Sequence, residues 1–357
     1  MPADSAAVGP LRLGVLGTSA FAGRRMVAAF HACPGTRLAA VAGRDAARAR
    51  RTAEEWGCSF HAGYEELLRR PDIDAVYVPL PNSLHHPWVR RALHSGKHVL
   101  AEKPLTTEPG QTAELFDLAA ERGLVLRENY AFEHHGRHRT ARSLVDRGSI
   151  GQVRHFSSSF GIPPLPPDDI RHRPDLGGGA LLDAGVYPVR AAQYFLGDEL
   201  RVAGASLRWD PGYGVDVGGS ALLRRADGVT AVLTFGFGYR YGAEYDVWGS
   251  TGRLGTRRAF ALGAADVPVL GAEDEQGRCR STPLDPEDQY LAGVAAFAAA
   301  VREARARGAD PAHAAVAARA RRTAELVARI AELARTPDDE PTPVAAGAWR
   351  AEDRWRS

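Results

Sequence analysis

The chain has 357 residues, which at roughly 100–200 residues per domain makes about two domains. Hydrophobic residues make up 45% and charged residues 25%, the mix of a folded, water-soluble chain, and this excludes a disordered or fibrous one. With 45 Lys+Arg against 43 Asp+Glu the net charge is only +2, so charge gives no case for a nucleic-acid or membrane-surface partner and a small molecule is the favoured ligand.

The first ten residues carry an acid and no cationic start leading into an apolar stretch, so no secretory signal is expected. Cys33, Cys58 and Cys279 are odd in number and far apart, which fits a reducing cytoplasm better than a disulfide framework or a zinc site. Residues 12–17 read as a short strand turning into glycine, followed by a helical pattern over 24–30. A second strand over 38–42 precedes a helix that Asp45 can cap and that ends near Gly57. The third strand is predicted over 75–78, a helix over 86–95, the fourth strand over 98–101, a helix over 111–122 and a further strand over 125–127. Such alternation is what a parallel sheet with helices on both faces requires.

Beyond Tyr130 the rhythm changes. Residues 153–160, 202–209, 219–224, 229–236 and 245–248 are β candidates joined by loops, which predicts an antiparallel or mixed sheet. Helices over 180–195, 290–305 and 312–334 are expected to cover one of its faces. The most apolar stretch, 290–301, falls short of the ~20 residues that a bilayer span needs and reads as a buried helix. The expected division is an α/β domain over residues 8–129, an α+β domain for substrate and oligomer contacts over 130–335, and a loose or docked tail over 336–357, anchored by Trp349 and Trp355.

Gly14, Gly17 and Gly23 surround the first strand-to-helix junction, where backbone N–H groups and the positive helix end can hold a pyrophosphate, although an ordinary tight turn would look similar. At the end of the second strand Gly43 leaves room and Arg44 offers a donor fork that suits the ribose phosphate of NADP(H). Asp45, one step later, offers the competing NAD reading through the ribose hydroxyls. After the 75–78 strand, Asn82 and His85 stand where a cofactor binds at a carboxyl edge, and His86 needs no role beyond starting a helix.

Glu102 and Lys103 follow the 98–101 strand. They make a structural ion pair, or else Lys103 donates a proton to a carbonyl oxygen that is receiving hydride. Asp183 and Tyr187 are four apart and would share a helix face, a placement that Pro188 softens. A tyrosine packed under the glycine turn is the plain alternative; beside Lys103, its phenol is expected to have a lowered pKa. His134, His135 and His138 invite a metal reading, but with no second ligand cluster they are expected to be solvated or substrate-facing, with no metal.

Taken together, G-V-L-G-T-S, S-G-K-H-V-L-A-E-K-P and G-G-G-A-L-L-D-A-G-V-Y-P resemble the Gfo/Idh/MocA oxidoreductase family over nearly the whole chain. Tyr187 stands where most relatives carry histidine. The segments Y-V-P-L-P, R-E-N-Y, H-H-G-R-H and F-G-I-P-P-L-P resemble, within it, the NDP-sugar 3-ketoreductases of actinomycete deoxysugar biosynthesis. The resemblance implies a Rossmann domain followed by an α+β domain with a large open, mostly antiparallel sheet. It also implies a cis Lys103–Pro104 bond and a homo-oligomer, dimer or tetramer, formed through that open face. NADPH would reduce C3 of a dTDP-3,4-diketo-2,6-dideoxyhexose; the runner-up is a dehydrogenase of a free sugar or cyclitol. Lys103 would donate the proton, Tyr187 would face the ketone and Asp183 would position them. The cofactor would lie against Gly17, Thr18, Ser19, Ala20, Phe21, Gly43, Arg44, Leu80, Asn82, His85, Glu102 and Asn129. For the nucleotide end, Arg171 and Arg173 would meet the diphosphate, and Tyr241 and Tyr245 are candidates to stack on thymine, against the plain reading of strand tyrosines as packing residues.

Overall fold

In the computed structural model, residues 9–334 are described; the expected tail with Trp349 and Trp355 lies outside the described residues. The first half lays down β1 (Leu11–Leu16), a π-helical turn at Ala22–Val27 running into α1 (Ala28–Ala32), β2 (Thr36–Gly43), α2 (Ala46–Trp56), β3 (Ser59–Ala62), α3 (Tyr64–Leu68), β4 (Ala75–Val78), α4 (Asn82–His94), β5 (His98–Ala101), α5 (Pro109–Glu121) and β6 (Leu126–Glu128). These strands form one parallel sheet in the order β3-β2-β1-β4-β5-β6. The strand order reverses between β1 and β4, and a crevice opens beyond the carboxyl ends of those strands.

The predicted α2 is met at both ends. Asp45 accepts the Arg48 N–H at 2.9 Å, and Gly57 takes φ +65°. β3 and α3 were not predicted, so the strand expected third is β4. β3 lies on the sheet edge without a buried apolar run, and α3 is only five residues long. α4 starts at Asn82 rather than at 86, with Pro87 inside it, which puts Asn82 and His85 on its first turn.

The second half contains α6 (Gly136–Asp146), β7 (Val153–Ile162), a π turn at Leu181–Gly185 continuing as α7 (Val186–Leu196), β8 (Arg201–Asp210), β9 (Val215–Arg224), β10 (Thr230–Phe237), β11 (Gly242–Gly249), β12 (Gly252–Arg257), β13 (Val269–Asp274), β14 (Cys279–Pro283), α8 (Gln289–Arg307) and α9 (His313–Leu333). Its eight strands run β14-β13-β12-β11-β7-β10-β9-β8, antiparallel except for β7 beside β10. β12 to β14 were not predicted: glycine, arginine and exposed polar residues there break the alternation that marks a half-buried strand.

Three clusters of apolar side chains hold the molecule together. α7, together with Leu326, Val327 and Ile330 of α9, covers one face of the second sheet. α8 does not join them, contrary to expectation. Its Tyr290, Val294, Phe297, Ala298 and Val301 pack with Leu13, Phe30 and Val41 of the first half. α9 shares its length between the halves, with Ala317 and Ala320 set against the first sheet's other cluster. The chain thus returns across the boundary drawn at residues 129/130, because the first sheet still has an apolar face to bury after its own helices are placed. The far face of the second sheet carries Ser157, Ser159, Thr234, Leu222, Val232 and Trp248, the last three well exposed. Among the described residues, no helix is long and apolar enough to cross a membrane.

Candidate active site

A cleft of about 330 Å³ lies between the carboxyl tips of the first sheet and the start of α7. From the first half it is lined by Ser19, Phe21, Leu80, Asn82, Glu102 and Lys103, and from the second by Arg171, Asp183 and Tyr187. Phe160, Ile162, Phe260 and Tyr290 complete the wall. These four carry no mark of the site in the sequence, because an apolar residue that lines a cleft and one that fills a core have the same pattern.

Lys103 follows β5 through a short turn, and the Lys103–Pro104 bond is cis. Its ammonium donates to the Asp183 carbonyl at 2.9 Å and to Asp183 Oδ1 at 3.0 Å. The sequence here limits the backbone partners of that carbonyl. In π register it would accept an N–H from residue 188, which is proline and has none. Asp183 Oδ2 accepts from Arg171 Nε at 2.8 Å, and Arg171 Nη1 also contacts both oxygens of Asp169 at 3.2 Å. Burial raises the Asp183 pKa, but Lys103 and Arg171 outweigh it and hold the carboxyl below its usual range.

Tyr187 sits among Phe160, Phe260 and Tyr130, with ring centroids 5.2, 5.3 and 5.8 Å away. Lys103 Nζ lies 5.0 Å from the Tyr187 ring centroid, over the ring. The expected lowering of the phenol pKa is therefore wrong. Burial, and after it the charge of Glu102, push that pKa well above the ordinary 10, so the hydroxyl stays protonated. Tyr187 presents a neutral O–H donor beside a charged N–H donor.

On the cofactor side, Gly17 has φ +117° and leads into Thr18, Ser19, Ala20 and Phe21 at the start of the helix, the end whose N–H groups favour an anion. Ser19 Oγ accepts the Ala22 N–H at 3.1 Å, and Arg48 Nη2 donates to the Thr18 carbonyl at 3.0 Å. Gly14 and Gly23 serve packing instead: a Cβ on Gly14 would come 2.6 Å from Leu67 Cδ2, and one on Gly23 3.1 Å from Trp56 Nε1. Gly43 ends β2 and Arg44 is exposed just beyond it. Asp45 is committed to the N-terminus of α2, and its hydrogen bond from Arg48 lowers its pKa. That leaves Arg44, exposed and close to the Tyr64 hydroxyl, as the residue at this strand end suited to a ribose phosphate.

Several predicted contacts are differently employed. His85 is fully buried, with Nδ1 2.7 Å from the Pro104 carbonyl and Nε2 2.7 Å from the Leu80 carbonyl, so it braces the two strand tips and has no face for a cofactor. Asn82 donates to the Gly177 carbonyl at 2.8 Å, tying the halves together at the cleft. Glu102 Oε1 accepts from Tyr77 at 2.7 Å and from Asn129 at 2.6 Å, so Asn129 supports Glu102 from behind. Burial raises the Glu102 pKa against those two bonds. Arg173 pairs with Asp175 at 2.6 Å on the surface and does not line the cleft. Tyr245 is a core residue, its hydroxyl 3.0 Å from His138 Nδ1, and Tyr241 borders a separate groove near Arg257 and Arg258. His135 and His138 are neither solvated nor substrate-facing: both are buried, and Arg137 Nε donates to His138 Nε2 at 3.0 Å, while His134 is half-buried. Among the described residues, no group of three or more His, Cys, Asp or Glu is placed to hold a metal ion.

Residues 11–130 match the oxidoreductase family with an NAD-binding Rossmann fold, and residues 138–255 match the GFO/IDH/MocA C-terminal domain. The chain belongs to the Gfo/Idh/MocA family. Among its Gfo/Idh/MocA relatives is the dTDP-3,4-didehydro-2,6-dideoxy-alpha-D-glucose 3-reductase of Streptomyces violaceoruber, 54% identical over 295 residues, which are 82% of this chain and 86% of that one. A D-xylose 1-dehydrogenase (NADP(+)) from Haloferax volcanii is 38% identical over 82% of this chain and 89% of its own. A 3-ketoreductase from Actinomadura kijaniata, solved in complex with NADP and TDP-benzene, is similar in fold with a TM-score of 0.87 and 46% identity, covering 91% of this chain and 98% of that one.

Proposed function

We propose that the protein reduces the C3 ketone of a dTDP-3,4-diketo-2,6-dideoxyhexose to the corresponding dTDP-4-keto-2,6-dideoxyhexose with NADPH. The observation that carries this reading is the pair of donors, the Lys103 ammonium held by Asp183 and the neutral Tyr187 hydroxyl, at the mouth of a Rossmann crevice. The Gly17 turn, the helix start after it and Arg44 suit NADP(H), which when bound supplies the hydride. This chain's residues handle the oxygen: Lys103 donates a proton toward the new hydroxyl, and the Tyr187 O–H holds the same oxygen while charge develops on it. Asp183 holds Lys103 in place, and the apolar wall of Phe160, Phe260 and Ile162 excludes water. Arg171 keeps Nη2 outside its bonds to Asp183 and Asp169, and that nitrogen is the donor for the substrate diphosphate.

The open face of the second sheet takes a second copy of the chain, and a reducing cytoplasm suits the three unpaired cysteines. The xylose dehydrogenase relative favours a second reading, oxidation of a free sugar or cyclitol with NADP+. Titration calorimetry of the NADP-loaded protein separates the two. Saturable binding of dTDP, with no turnover of free pentoses or inositols, is expected; turnover of a free sugar without any dTDP binding overturns the proposal.

A further inference from the structure

Asp183 and Tyr187 depend on how the helix that carries them begins. That start, at Ala180 and Leu181, is capped from another element altogether. Asp216, buried on β9, accepts the Leu181 N–H through Oδ2 at 2.6 Å, and the Ala180 N–H is a further donor to it. The approach is so close that a Cβ on Gly179, at φ +111°, would stand 2.3 Å from Asp216 Oδ1. A buried carboxylate is costly unless such bonds meet it, and this one accepts from Leu181, two residues before the group that holds Lys103.

We propose that Asp216 is a positioning residue for the reduction: it fixes the first turn of the helix, and through it the Asp183 carbonyl and carboxylate that aim Lys103. This rests on the reading of Lys103 as proton donor. Burial pushes the Asp216 pKa up to about 6 against the N–H bonds. The groups that act on it are the N–H groups of Ala180, Leu181 and Asp216 itself, with no ionisable side chain among them. Above that pH the carboxylate is a full acceptor, and below it protonation weakens the cap.

The sequence offers a clean probe, because the chain has only two lysines, Lys97 and Lys103. Lys97 precedes β5, where its ammonium donates to the Arg70 and Ile73 carbonyls at 2.6 and 2.9 Å. In the full chain with NADP bound, [13Cε]lysine labelling therefore reports on the site lysine with an internal control. Asp216→Asn and Asp216→Ala are expected to shift the Lys103 signal and leave that of Lys97 in place. kcat should fall roughly 10-fold in the first and about 100-fold in the second, with the KM for NADPH within about 2-fold, the cost of a small misplacement of a catalytic group. The wild-type kcat should lose activity below about pH 6, and Asp216→Asn should lack that limb. An unmoved Lys103 signal in both variants, or an acid limb that survives in Asp216→Asn, overturns the proposal. If Asp216→Ala does not fold, the Asp216→Asn spectrum decides. Failure of the wild type to reduce the diketo sugar would instead overturn the functional reading, and the spectra would still report on Asp216.

Discussion

Lys103 is held twice by one residue, through the carbonyl and the carboxylate of Asp183, while its charge lies over the face of Tyr187. In the proposed reduction the two donors would therefore approach one oxygen from different supports, with neither acting as the other's base. Removing one leaves the other, so losses are non-additive. Lys103→Ala should lower kcat about 100-fold, at the low end for general acid help, and Tyr187→Phe should lower it less. The double variant should fall well short of the product of the two losses in steady-state assays. The placement of Lys103 and Asp183 at the cleft was legible because a charged residue at a buried strand tip and a carboxylate in a glycine-flanked turn are unusual patterns. The protonation state of Tyr187 was not, because it depends on the aromatic wall that buries it, and those rings come from three separate segments. Asp216 was invisible for a similar reason: nothing near it in sequence marks it as the cap of a distant helix.

The first βα turn shows how glycines of similar appearance differ once the element forms. Gly14 lies within β1 under Leu67, whereas Gly17 makes the turn at φ +117°. Gly14→Ala should cost about 1–3 kcal/mol by overpacking, read as a lower denaturation midpoint, with NADPH affinity little changed in the folded protein. Gly17→Ala should instead weaken NADPH binding, measured by fluorescence titration. Helices and strands with a clear apolar rhythm were legible; α2 is one, down to its Asp45 cap. Edge strands β3 and β14 were not, since without burial on either side they carry no rhythm. At the end of β6, Glu128 accepts the Leu105 N–H at 2.8 Å, and burial pushes its carboxyl up to about 7. Its unfolded value is about 4.3. Between those values the folded state holds a proton that the unfolded chain has released, so this group lowers stability progressively as pH rises. Glu128→Gln keeps the acceptor and removes the charge. Its gain in Tm over wild type should be absent near pH 4 and complete above about pH 7.

At the scale of the molecule, two sheets meet at the cleft and α8 crosses back to seal the first, so both halves must be folded for the site to exist. The family's two-domain plan was legible from the change of rhythm near Tyr130; the return of α8 was not, because a uniformly apolar helix does not say which sheet it will cover. The exposed Val232 and Trp248 on the open face predict self-association. Sedimentation should show a dimer or tetramer, and Val232→Asp with Trp248→Glu should give a smaller species. The most direct test of the account supplies the diketo sugar in place, from a dTDP-4-keto-6-deoxyglucose precursor and a 2,3-dehydratase, with the protein and NADPH, and identifies the product by NMR. Stoichiometric NADPH oxidation and a dTDP-4-keto-2,6-dideoxyhexose with a new hydroxyl at C3 are expected. Release of dTDP and maltol-like breakdown products, with NADPH unconsumed, would contradict it.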